Sequence, residues 1–395
     1  MSSDSTKKTL KIFNLPLQNI QFFFFALFFV FNFVDRDIAN IALLASLLFC
    51  LFDFRKISLA FKLNARLVTC IFLFSIYILI IGFYHNSPMN ELDNYFRFLL
   101  LLPLLIIAIN ESQFIRLLIF SAFSAAITAI WIYSFTDTPI IRYQGSSSTA
   151  LTYSIMCASL FCLCVYYIFY RLHKSYLLAL SAIIFLFLFM LTATRGPAVS
   201  IILVIFYLLF KLSQCSHKTN HRNILLTLST VIIISVISIP NELGDRLKTM
   251  STVNLNEPLK ISNRSLRERI YYINFGVHDI KDNFFFGIGP QNLEEKMARV
   301  LKKNKINNIK PTDHLHNEFL DILLKFGISS LILLLLIYYL MVRTGHIKHS
   351  VLLNILIITL LASQLTQSQF AHHQAITFFI VLSYLITNSK KQTLK

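Results

Sequence analysis

The chain has 395 residues, of which 56% are hydrophobic, 14% aromatic and only 14% charged. A soluble domain carries about 25% charged residues, and no soluble core hides this much apolar side chain behind so thin a polar exterior. The composition excludes a soluble enzyme, a disulfide scaffold and a disordered chain. It predicts an all-α, multi-span membrane protein.

Apolar runs recur near 17–34, 38–52, 67–84, 95–109, 115–135, 149–170, 176–193, 197–211, 223–239, 319–341, 351–367 and 374–388, which predicts about twelve transmembrane helices. The N-terminus lacks a short apolar segment with a small-residue cleavage site, so the first run is expected to stay as a span. Lys and Arg outnumber Asp and Glu by 36 to 19, a net charge of +17. In short loops such an excess sets membrane orientation rather than nucleic-acid binding. The basic residues concentrate in 7–11, 55–66, 116, 171–174, 211–222, 343–348 and 390–395, while the short alternate connections and adjacent span ends carry only Arg36, Arg97, Arg142 and Arg195. Both termini are therefore expected in the cytoplasm. Cys50, Cys70, Cys157, Cys162, Cys164 and Cys215 show no metal-type pairing and read as small core residues.

Residues 240–318 form one long polar stretch between the ninth and tenth predicted spans, dividing the chain into 1–239, 240–318 and 319–395. Long translocated loops escape the positive-inside rule, so its basic residues agree with an outer location. Leu266 to Val277 and Asn292 to Leu301 read as amphipathic helices, and Asn283–Pro290 as a glycine-containing turn on the membrane surface.

Four features carry candidate chemistry. Thr192 to Pro197 sets Arg195 at a span end, where a guanidinium either snorkels or meets an anionic lipid head group in a water-filled cavity. Ser262–Tyr272 holds Arg264, Arg267 and Arg269; on a helix the first two share a face and Arg269 lies well round the axis, so not all three address one ligand. Guanidinium forks suit phosphate, which makes this stretch either a pyrophosphate clamp or a solvated basic face. Asp313-His314-Leu315-His316-Asn317-Glu318 opens the tenth span. Its histidines at i and i+2 suit a metal poorly, and none is expected. At a helix start, the dipole and nearby arginines disfavour imidazolium, so His316 is expected neutral and able to accept a proton. Arg142-Tyr143-Gln144-Gly145 precedes the sixth span, and His372 and His373 in the 367–374 turn are the weakest signal. On this topology all of them face the outer side, which suggests one outward cavity. No GxxxxGK[ST] loop is present, so no nucleotide site is expected.

These motifs, in this order, resemble the O-antigen ligase family within the ligase/polymerase superfamily of bacterial polysaccharide assembly. The family carries an Arg at the outer end of a mid-chain span, matched by Thr194-Arg195-Gly196. It carries an Arg before an aromatic stretch in the large loop, matched by Arg269-Ile270-Tyr271-Tyr272. It carries His-Asn followed nine residues later by Gly, matched by His316-Asn317 and Gly327. Ser330 departs from the Gly, Thr or Tyr usual there, and Arg142…Gly145 resembles the family's segment before a mid-chain span.

The resemblance implies a metal- and cofactor-independent glycosyltransferase of the Gram-negative inner membrane acting in lipopolysaccharide biosynthesis. It would move O-polysaccharide from undecaprenyl pyrophosphate to lipid A–core at the periplasmic face. His316, Arg195 and Arg269 would be catalytic, and Arg142, Arg267, His314 and Asn317 would bind substrate. An O-antigen polymerase or a protein-glycosylating ligase would share these residues. A polysaccharide-lipid transporter would favour midplane charges and internal repeats, and neither is evident.

Overall fold

The computed structural model describes residues 11–12, 15–135, 143–145, 147, 149–171, 175–194, 196–214, 264–343 and 347–388. The predicted span at 223–239, both Arg142 and Arg195, and Cys215 lie outside these residues. What is described is helical, apart from a two-residue antiparallel pairing of Lys11–Ile12 with Leu15–Pro16.

Helices α1 (Leu17–Phe31) and α2 (Arg36–Leu51) pack together at the N-terminal side. Helix α3 (Phe54–Leu63) turns away from α2 by 92°, because Asp53 caps a new helix through the Lys56 amide. Helices α4 (Ala65–Tyr84), α6 (Glu111–Phe135), α7 (Ala150–Val165, continued by a π-turn to Tyr170) and α9 (Gly196–Ser213) are each long and apolar enough to cross a membrane. With α2 and α3 taken as one broken span, that makes five among the described residues. Helix α8 (Tyr176–Leu191) is apolar but shorter.

Two predicted runs take a different form. The run at 95–109 divides into α5 (Met89–Leu100) and a 3₁₀ turn, Leu102–Ile106. Pro103 cannot donate a helical hydrogen bond, and Asp93, Asn94 and Arg97 make α5 amphipathic. The run at 319–341 breaks at Gly327, as described below.

Helices α10 (Arg264–Asn283) and α11 (Asn292–Lys303) lie in the long polar stretch where amphipathic helices were expected; α10 extends beyond both predicted ends, and α11 starts where predicted and runs on to Lys303. They build a small core of their own from Tyr272, Phe275, Leu293, Met297 and Leu301, closed by Leu315 and Leu324. Gly276 permits this closure, since a Cβ there would stand 2.6 Å from Leu315 Cδ1. Helix α12 (Glu318–Phe326) follows, then α13 (Ile328–Arg343), α14 (Ile347–Gln364) and α15 (His373–Asn388).

The break between α12 and α13 explains the nine-residue spacing from Asn317 to Gly327. Asn317 caps the start of α12, and Gly327 ends it at φ +81°, a backbone conformation suited to glycine. A Cβ at Gly327 would collide with the Phe285 carbonyl. The loop after α10 then satisfies the interrupted helix: Ile288 and Gly289 donate to the carbonyls of Leu324 and Lys325 at 2.8 and 3.0 Å, and Ile328 donates to Phe284 at 2.9 Å. Tyr77 of α4 donates to the carbonyls of Phe285 and Phe326, tying this joint to the bundle.

Candidate functional site

His316 lies immediately before α12 in the left-handed region, at φ +55°. Its neighbours hold it there. The Leu315 amide donates to Asp321 Oδ1 at 2.9 Å. Asn317 Oδ1 accepts from the Leu320 amide at 3.1 Å, while its Nδ2 donates to the Leu365 carbonyl at 3.1 Å. Asn317, expected at the substrate, thus has its side-chain amide engaged at both ends by the framework.

Glu318, Asp321 and Lys325 recur at helical spacing along one face of α12 and are all buried. Asp321 pairs with Lys325 at 2.8 Å. Glu318 accepts from the Phe370 amide at 2.9 Å, and burial pushes its carboxyl up to about 8. One short helix therefore anchors both the 313–317 loop and the 366–372 turn.

The His316 ring is half-buried. Tyr272 of α10 stacks on it with centroids 5.7 Å apart and planes 27° apart, and the Tyr272 hydroxyl donates to the Lys310 carbonyl. His314 meets it edge-on at 4.4 Å, with its own Nδ1 2.6 Å from Asp313 Oδ1. His316 Nδ1 is 2.8 Å from Gln367 Oε1, and Gln367 Nε2 is 3.1 Å from His372 Nε2. Burial foremost, then His314 and Arg269, lower the His316 pKa to about 4 against the pull of the Gln367 hydrogen bond. His372 is lowered to about 4 by burial and by the His314 and His316 rings.

Arg269 is exposed one turn before Tyr272, on the same face of α10, and its charge reaches His316. Arg267 is half-buried and, two residues earlier, lies on the other side of the helix. Arg264 pairs with Glu268 at 2.8 Å. Arg195 lies outside the described residues, but the chain on either side of it is placed. Thr194 Oγ1 is 2.8 Å from Thr192 Oγ1, and a Cβ on Gly196 would stand 2.7 Å from Thr366 Oγ1. Gly196 therefore abuts the residue next to Gln367. Arg142 is likewise outside the described residues; Tyr143 beside it is buried and donates from its amide to Leu191 at 3.2 Å.

The structure thus brings Arg269, His314 and His316 together and leaves Arg267 on another face. Sequence reasoning missed Gln367, Tyr272 and the acidic face of α12, and it undervalued His372. The signal for the acidic face was present, since Glu318, Asp321 and Lys325 share a helical stripe beside an apolar run. No such signal marked Gln367, because its partner is 51 residues away in the chain. Among the described residues, no group of three or more His, Cys, Asp or Glu is arranged to hold a metal ion.

Residues 179–335 match the family model described as O-antigen ligase. No curated protein matches the chain. The matched segment runs from within α8 into α13, and so contains Arg195, Arg269 and His316 but not the turn that carries Gln367 and His372.

Proposed function

From the match of residues 179–335 to the O-antigen ligase family model, we propose that the chain transfers O-polysaccharide from undecaprenyl pyrophosphate to a sugar hydroxyl of lipid A–core, at the periplasmic face of a Gram-negative inner membrane. The observation that carries this reading is a neutral imidazole, fixed in a strained loop, within electrostatic reach of an exposed arginine.

His316 takes the proton of the acceptor hydroxyl as its oxygen bonds to the anomeric carbon. The bond from that carbon to the phosphate oxygen breaks, and the electron pair leaves with the diphosphate. Arg269 stabilises the growing charge, and Arg195 is assigned to the same task from the turn whose flank abuts Thr366. Arg142, Arg267 and His314 are assigned to holding the substrates. A diphosphate seated beside Arg269 offsets the arginine's charge and strengthens the ring as a base when the acceptor is in place. The glycosyl–phosphate bond supplies the driving force, so no nucleotide is required, and the two arginines are assigned the charge stabilisation that a metal would otherwise give.

Purified full-length protein in detergent, given both lipid substrates and EDTA, is expected to attach polymer to lipid A–core. His316→Ala should lower the rate by about 10²–10⁴-fold and Arg269→Ala by about 10²–10³-fold, both at normal protein yield. Polymer that lengthens only on its lipid carrier would replace this reading by a polymerase. Undiminished transfer by His316→Ala would remove the base.

A further inference from the structure

Resting on that reading of His316, we infer that Gln367 is a positioning residue: its amide oxygen accepts from His316 Nδ1, its amide nitrogen donates to His372 Nε2, and His316 is thereby committed to the tautomer whose lone pair lies on Nε2.

The geometry supplies each link. A glutamine amide has one accepting oxygen and one donating nitrogen, so a ring on each end has its proton assigned. Gln367 Oε1 at 2.8 Å from His316 Nδ1 requires the proton on Nδ1. Gln367 Nε2 at 3.1 Å from His372 Nε2 requires that nitrogen to accept, which puts the His372 proton on Nδ1. Both rings are then neutral. His316 Nε2 makes no hydrogen bond among the described residues, so it remains the nitrogen able to act as base. Gln367 is buried, and it is fixed by its place in the turn that Glu318 anchors through the Phe370 amide. The reversed amide is satisfied only if both rings switch tautomer together, which would leave His316 Nε2 carrying the proton and no free lone pair for the base.

The other groups facing the His316 ring do not set its tautomer. Arg269 and Tyr272 approach from α10, Asp313 and His314 from its own loop, and Asp321 from α12. Tyr272 offers its ring face and His314 an edge contact, whereas Asp321 binds the Leu315 amide. Arg269 and Asp321 act on the ring's charge at a distance. The matched family segment ends before Gln367, so the family match does not assign this role.

The test compares Gln367→Glu and Gln367→Met in the full-length protein across pH. A glutamate keeps the acceptor for Nδ1 and adds a negative charge, so the acid limb of kcat/KM should rise by about 1–3 pH units while activity above it stays within about tenfold of the parent. A methionine of similar shape removes both hydrogen bonds. It should lower kcat by about 10–100-fold with KM little changed, since a misplaced base costs the chemical step. Equal losses in both variants with an unmoved acid limb would reduce Gln367 to a packing residue. Should Gln367→Glu be folded but inactive, the pH dependence of carbethoxylation of the His316 peptide by diethyl pyrocarbonate reads the ring without turnover. An unshifted midpoint there overturns the inference. His316→Ala, run alongside, separates the two readings: activity retained in it sinks the base itself, whereas its inactivity with an unmoved Gln367→Glu profile sinks only the role of Gln367.

Discussion

Helix α7 is 89% buried inside the bundle and α6 only 39%, yet both are built from the same kind of apolar side chain. Either environment, lipid or protein, accepts a leucine or a phenylalanine, so Ile127, Ile130 and Trp131 remain exposed on α6 at no cost in a membrane. In the shorter polar helices the demands differ. Helix α11 buries Leu293, Met297 and Leu301 on one face and leaves Glu295 and Arg299 to water on the other. Its neighbour α12 buries charge, and the loops around it are positioned by single hydrogen bonds to named atoms. Packing fills the bundle with many interchangeable contacts, whereas the site hangs on a few polar groups that have no substitute.

That contrast is sharpest at Asp321. Asp321→Asn leaves the Lys325 ammonium buried without its partner, and such a loss costs about 3–5 kcal/mol. Thermal unfolding in detergent should show a large drop in midpoint, which adding Lys325→Met should largely recover, because the Asp321→Asn side chain still accepts from the Leu315 amide. A midpoint unchanged in the single variant would mean that water reaches this pair and that α12 does not anchor the site as described.

An acid titration of stability should come next in size. His316 and His372 both have pKa values lowered to about 4, below the ordinary imidazole value, so the unfolded chain takes up their protons first. Their contribution to stability is complete at neutral pH, falls as pH drops through the ordinary imidazole value of about 6.5, and levels off below about 4. His372→Phe should shallow this decline, measured as the midpoint of thermal unfolding against pH. An equal slope with and without His372 would detach that ring from the buried cluster.

The smallest effect belongs to the exposed pair on α11. Glu295 and Arg299 lie 3.2 Å apart, but both side chains are more than two-thirds exposed. Arg299→Ala should move stability by about 0.3–0.5 kcal/mol, against the several expected at Asp321. A loss at Arg299 rivalling that at Asp321 would erase the distinction between the two helices.

Much of this was legible in the residues. Composition alone required a helical membrane protein, because only lipid tolerates so much apolar surface. The amphipathic period of α10 and α11 marked them as lying outside the apolar spans, whereas the low proton affinity of His316 owes most to burial, which its place before a helix start did not reveal. The breaks were less visible. A hydrophobic run does not reveal that Pro103 and Gly327 divide it, since hydropathy sums side chains and is blind to a missing amide proton or a positive φ.

By itself, the sequence determined which segments are apolar, which arginines and histidines exist to do chemistry, and the nine-residue interval between a capping asparagine and a glycine. Tertiary structure alone decided which of those groups meet. Tyr272, His316, Gln367 and His372 come from three stretches of chain that share no local pattern, and they converge because α12 ties one loop and one turn to the same face. Hydrogen bonds depend on distance in space and carry no trace of separation along the chain, so their partners become known only once the helices have packed.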